Sequence, residues 1–210
     1  MPSSELLLAF AAATLVFTLT PGPAMIYAAA RTVAGGRKAG LMAALGIHAG
    51  GYVHVVTAAA GLSVVFHAVP TLYAAVKLAG ACYLVWLGIA MFRGKGGTAD
   101  GMTGVPTKSA RRAFAESVAV EVLNPKAAMF YLAFLPQFVD PFASYPIWLQ
   151  LLLLGIVVNV MFSLADLAAV TLAGSLTSFL RRSSRARRVT EWIGGSVLVG
   201  LGVHLAFRKS

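Results

Sequence analysis

The sequence predicts an all-α polytopic membrane protein, with six transmembrane helices arranged as two inverted three-helix repeats. Three observations carry that prediction: six apolar stretches long enough to span a bilayer, a composition poor in charge, and a proline-broken motif at matching places in the two halves. Of the 210 residues, 59% are hydrophobic and 11% charged. Mean hydropathy is +0.81. A soluble domain carries about a quarter charged residues, so the balance excludes an ordinary soluble fold.

Crossing about 30 Å of hydrocarbon takes about 20 apolar residues. The stretches that qualify run from Leu6 to Ala30, Ala39 to Phe66, Thr71 to Phe92, Phe114 to Gln137, Ile147 to Phe179 and Val189 to Phe207. The fifth is long enough to tilt or to extend beyond the bilayer. No basic side chain precedes the first run in Met1-Pro2-Ser3-Ser4-Glu5, so that run is expected to remain as a helix rather than serve as a cleaved signal peptide.

The formal net charge of +10 suggests nucleic acid until the charges are placed. Arg31, Arg37 and Lys38 lie between the first two spans, and Arg93, Lys95, Lys108, Arg111 and Arg112 between the third and fourth. Arg181, Arg182, Arg185, Arg187 and Arg188 lie between the fifth and sixth. The two alternate loops hold His67 and Asp140 and no Lys or Arg. The positive-inside rule then places the three basic loops in the cytoplasm and both termini outside, and the charge serves topology rather than nucleic-acid binding. The single Cys82 excludes an internal disulfide and is expected as a buried, inert thiol.

Thr20-Pro21-Gly22-Pro23-Ala24-Met25-Ile26-Tyr27 in the first span is echoed by Asn124-Pro125-Lys126-Ala127-Ala128-Met129-Phe130-Tyr131 in the fourth. Each proline removes a backbone donor and clashes with the carbonyl four residues earlier, which breaks the helix and frees main-chain groups. In a membrane such groups persist only against protein or a watery cavity. Paired breaks in two halves point to a transporter's binding site. The repeat unit holds three spans, an odd number, so the halves insert with opposite orientation. Residues 1–93 form the first half, 94–112 a basic, Gly-rich cytoplasmic linker, and 113–210 the second half.

Ionisable residues at membrane depth are functional candidates because burying them is costly. Ser117, Glu121, Asn124 and Tyr131 share one stripe of the fourth span, and Gly155, Asn159, Ser163 and Asp166 one stripe of the fifth. Glu121 and Asp166 are candidates for proton or cation coupling. Pairing of Glu121 with Arg111 or Arg112, and of Asp166 with Lys126, are the structural alternatives. His54 in the second span is a third coupling candidate, with hydrogen bonding across a helix interface as its alternative. His48 points to another face and carries less signal, and Lys77 is expected to snorkel. Thr20, Pro21, Gly22, Pro23, Asn124, Pro125 and Lys126 offer amides, carbonyls and an ammonium suited to a zwitterionic substrate. Gly36 with Gly40, and Gly46 with Gly50, have the spacing for close helix approach, within one chain first and in a homodimer second. No catalytic set, metal cluster or cofactor motif stands out, so neither a metal nor a cofactor is expected.

The T-P-G-P break together with the N-P-K break resembles the LysE/RhtB family of bacterial amino-acid exporters. The similarity extends to Arg31, Gly35, Gly36, Ala39 and Gly40, to Ala44-Leu45-Gly46 and Val53-His54, and to Asn124-Pro125-Lys126-Ala127 with Phe134-Leu135-Pro136-Gln137-Phe138. The resemblance implies a multi-pass bacterial inner-membrane protein that exports amino acids or related metabolites, driven by the proton gradient or membrane potential. The rival readings are a non-transporting scaffold subunit and a membrane enzyme acting on lipid or small metabolites. Substrate identity is not encoded legibly: the acids admit a basic or neutral amino acid, and Lys126 admits a carboxylate.

Overall fold

The computed structural model describes residues 4–68 and 109–173 continuously, with scattered residues between 75 and 93 and between 188 and 206. Most of the predicted third and sixth spans, Lys77 and almost all of the 94–112 linker therefore lie outside the described residues. The described elements are α1 (Ser4–Leu19), α2 (Pro23–Ala68), α3 (Ala110–Val122), α4 (Pro125–Phe134), a 3₁₀ turn at Leu135–Phe138, and α5 (Ile147–Thr171).

By length and hydropathy alone, Ile147–Thr171 can cross a membrane, and the stretch Pro23–Val64 qualifies too although its helix is interrupted at Gly36. A third crossing results if Ala110–Val122 and Pro125–Phe138, bent by 48°, act as one span. Within α2 the backbone leaves helical geometry at Gly36, whose φ of 76° lies in the left-handed region that a side chain disfavours. The helix folds back there. Thr32 and Gly40 would stand about 12 Å apart along a straight helix, yet a Cβ on Gly40 would collide with the Thr32 hydroxyl. Ala24 and Ala28 likewise share a buried cluster with Ala43, Ala44 and Ile47. Gly36 is thus a turn rather than part of a helix-packing stripe, which corrects the expectation for the Gly36–Gly40 pair. The turn divides α2 into an arm 23–35 and an arm 37–68.

The returning arm is held by small residues. A Cβ on Gly46 would meet the Phe114 carbonyl and lie 2.8 Å from Ser117 Cβ, and one on Gly50 would lie 2.9 Å from both Glu121 Cβ and the Val118 carbonyl. Both glycines let α2 approach α3 backbone to backbone, the usual means of packing helices where water is absent. On the other side, α1, α4 and α5 share an aromatic stack in which Phe17 lies 3.8 Å from Phe130 and 5.5 Å from Phe162, centroid to centroid. Cys82 is exposed rather than buried. An apolar side chain on a lipid-facing helix surface needs no protein cover, so the expected burial does not follow for it.

Each break is shaped by which carbonyls the prolines deprive of a donor. Pro21 and Pro23 have no N–H for Phe17 and Leu19. The Phe17 carbonyl instead accepts from the Thr20 amide at 3.1 Å, and the Thr20 hydroxyl donates to the Val16 carbonyl at 2.9 Å. Pro125 in turn has no N–H for the Glu121 carbonyl, which accepts from the Asn124 amide at 3.0 Å and from His54 Nε2 at 2.7 Å. A carbonyl only accepts, so His54 carries its proton on Nε2. His54 is buried and stacks on Tyr131 at 5.7 Å.

Two predictions follow from this packing. Gly46→Ala is expected to destabilise the protein by about 1–3 kcal/mol through overpacking against an immovable backbone, whereas Gly61→Ala, with open space around it, should be neutral or slightly stabilising. Thermal melts in detergent test this, and equal melting temperatures would contradict the packing. His54→Leu should cost about 1–3 kcal/mol by leaving a buried carbonyl short of a donor, and His54→Gln should recover much of that loss in the same measurement.

Candidate functional site

A cavity opens between the two breaks. Thr20 and Gly22 line it from the first break, Glu121, Asn124 and Lys126 from the second, and Asn159, Ser163 and Asp166 from α5. The structure therefore gathers eight of the sequence-predicted residues around one space. Pro21, Pro23 and Pro125 shape the backbone without lining it, and His54 stands behind it on the Glu121 carbonyl.

Asn124 caps α4. Its side-chain oxygen accepts from the Lys126 and Ala127 amides at 3.1 and 3.4 Å, and Pro125 occupies the first helical position, where its missing N–H costs nothing. The same side chain donates from Nδ2 to Glu121 Oε2 at 3.1 Å. The Asn124 amide is thereby committed at both ends, orienting Glu121 while starting the helix.

Lys126 reaches across to the first half. Its Nζ donates to the Thr20 carbonyl at 3.0 Å and lies 4.5 Å from the centre of the Phe17 ring. An ammonium here answers the negative end of α1 and the face of an aromatic ring. The space for its stem exists because residue 22 is glycine: a Cβ there would fall 3.2 Å from both Lys126 Cδ and Nζ. The offset that aligns Thr20 with Asn124 aligns Gly22 with Lys126, so one break supplies the side chain and the other the vacancy.

The two carboxyl groups differ in their engagement. Glu121 is 3% exposed and held by Asn124. Asp166 is 5% exposed, lines the cavity, and among the described residues has no hydrogen-bond or salt-bridge partner. Neither structural alternative from the sequence takes form among these residues. Arg112 pairs with Glu116 at 3.1 Å instead of Glu121, and Lys126 donates to the Thr20 carbonyl rather than to Asp166.

Sequence reasoning undervalued His48. Its Nδ1 hydrogen-bonds with Ser163 Oγ, and its backbone carbonyl accepts from Asn159 Nδ2 at 3.1 Å. Ser163 in turn donates to the Asn159 carbonyl at 2.7 Å. Serine has one proton to give, so in this arrangement the imidazole donates to it. The signal was present in the complementary stripe on α5, but the rotation of the second span against it is not readable from either helix alone.

A second polar cluster lies beyond the first break. Arg31, 2% exposed, approaches Glu116 at 3.4 Å, and the Tyr27 hydroxyl donates to the same carboxylate oxygen at 3.2 Å. It ties the arm 23–35 to α3.

Residues 15–209 match the model of the LysE type translocator family. The chain is 30% identical over 193 residues to a leucine efflux protein of Klebsiella pneumoniae, with 91% of this chain and 90% of that one covered. It is 28% identical to a homoserine/homoserine lactone efflux protein of Salmonella typhimurium over 94% of each chain. An uncharacterized membrane protein of Vibrio cholerae is 28% identical over 97% of each. No solved structure matches the chain significantly. With nearly its whole length matched, the chain belongs to the LysE type translocator family, and is a membrane transporter rather than an enzyme.

Proposed function

We propose that the protein exports an amino acid or a closely related metabolite from the cytoplasm across a bacterial inner membrane, driven by the proton gradient or the membrane potential. The observation that carries this reading is the cavity between the two breaks, where an ammonium, a helix N-terminus and two buried carboxyl groups converge. That set matches a zwitterion. Lys126 and the start of α4 suit the substrate's carboxylate, and the Asp166 carboxylate suits its ammonium. The names of the efflux relatives support the same class of cargo.

In this reading the halves 1–93 and 113–210 are inverted three-helix repeats, joined by the cytoplasmic linker 94–112, with six spans and both termini outside. Thr20, Gly22 and Lys126 contact the substrate, while Pro21, Pro23 and Pro125 hold the breaks open and Asn124 positions Glu121. Glu121 and Asp166 are the coupling groups. His54 braces the second break, and Asn159 and Ser163 complete the polar wall. Export proceeds by alternating access as one half rocks against the other, with the cavity at their shared boundary.

The experiment is efflux from cells preloaded with labelled leucine, homoserine and a wider amino-acid panel, at matched protein levels, with and without a protonophore. Wild-type efflux that collapses with the gradient supports the proposal, and no efflux of any panel member sinks it. Lys126→Ala is expected to reduce efflux at least tenfold, a loss of about 1.4 kcal/mol or more in transition-state terms. Asp166→Asn should abolish gradient-driven efflux with normal protein in the membrane. Retention of both activities would remove these residues from the site.

A further inference from the structure

One wall of the cavity is not polar. Phe17 and Phe162 line it, and the two rings stack at 5.5 Å with 23° between their planes. Phe17 continues into Phe130 at 3.8 Å, and Phe130 into Phe134 at 4.4 Å. The cavity wall is thus the open end of an aromatic column rooted in the core. Phe130 and Phe134 are fully buried and do not line the cavity, whereas Phe162 is only half-buried and faces it. A ring backed by such a column has little room to retreat.

Phe162 also stands one helical turn before Asp166, and Asn159, Phe162, Ser163 and Asp166 occupy neighbouring positions on one face of α5. Residues four apart on a helix place their Cβ atoms about 5–6 Å from each other. That is close to the reach from the ammonium of an α-amino acid to the end of its side chain. A ligand whose ammonium meets Asp166 therefore has Phe162 within reach of its side chain. Ala24, Met25, Ile47 and Ala127 add apolar lining, and Thr18, beside Phe17, adds one hydroxyl.

We propose that Phe162 determines which side chains the cavity admits, selecting α-amino acids with uncharged, apolar side chains and setting their upper size. The inference rests on the exporter reading above and adds to it the residue that discriminates among substrates. A methylene more or less in an apolar pocket is worth about 10- to 200-fold in discrimination, so a change of ring size at this wall is expected to move preferences by tenfold or more.

The test is competitive efflux of labelled alanine, leucine and phenylalanine from the same preloaded cells, read as ratios so that protein level cancels. Phe162→Ala is expected to raise phenylalanine relative to leucine at least tenfold, and Phe162→Trp to lower leucine relative to alanine by a similar factor. Phe162→Leu is the milder variant should loss of the ring prevent folding, with a smaller shift in the same direction. Phe134→Leu is the control, because it weakens the same column without touching the cavity. It should lower the melting temperature and leave the ratios alone. Unchanged ratios in the Phe162 variants, with wild-type export intact, would overturn the proposal while the exporter reading stands; equal shifts from Phe134→Leu would also overturn it. If wild type exports none of the three, nor any other amino acid, the exporter reading falls and this inference falls with it.

Discussion

Three prolines in two broken helices withhold backbone donors from carbonyls, and groups from elsewhere in the described structure close around both breaks. Near the first break the Thr20 amide closes on Phe17 and the Thr20 hydroxyl on Val16. The Thr20 carbonyl takes the Lys126 ammonium from the other half. At the second break the Glu121 carbonyl takes His54 from the second span. Hydrocarbon offers no water to fill such vacancies, so the partners must come from protein. Each break is therefore completed by a residue from the opposite part of the chain. That requirement acts together with the apolar contact of Phe10 and Phe17 with Phe134 and Phe130, which joins the same two helices.

The cavity follows from the same constraint. Side chains that reach across a break keep the helices from closing on one another, and the polar groups assembled for backbone repair are also able to hold a zwitterion. Asn124 shows the overlap of roles: its oxygen starts α4 while its nitrogen fixes Glu121. Apolar packing takes over away from the breaks, through glycines at the α2–α3 contact and through the aromatic column at the α1–α4–α5 contact.

The breaks, the α5 stripe and the buried acids were legible in the sequence because each depends on local chemistry. Proline acts within one helical turn, and a helical stripe is a matter of spacing. The reversal between Ala30 and Ala39 was legible from the break between two apolar stretches, but Gly36 as its pivot was not: its positive φ and the packing of Ala24 and Ala28 against Ala43 and Ala44 identify it, and neither can be read from spacing. His48 was missed for a related reason, since its contact with Ser163 is fixed by how α2 is rotated against α5. Arg112 chose Glu116 over Glu121 because Glu116 lies one turn away on the same helix, whereas Glu121 is committed to Asn124.

Gly22 and Lys126 share a single volume between the two breaks. Substitutions at the two positions are consequently epistatic rather than additive. A methyl group at 22 crowds the chain only while a long side chain fills 126, and a shortened residue at 126 leaves a void that only a larger residue at 22 can occupy. Coupling of this kind is the rule for residues in direct contact. Two positions in separate broken helices are therefore interdependent, so neither can drift alone.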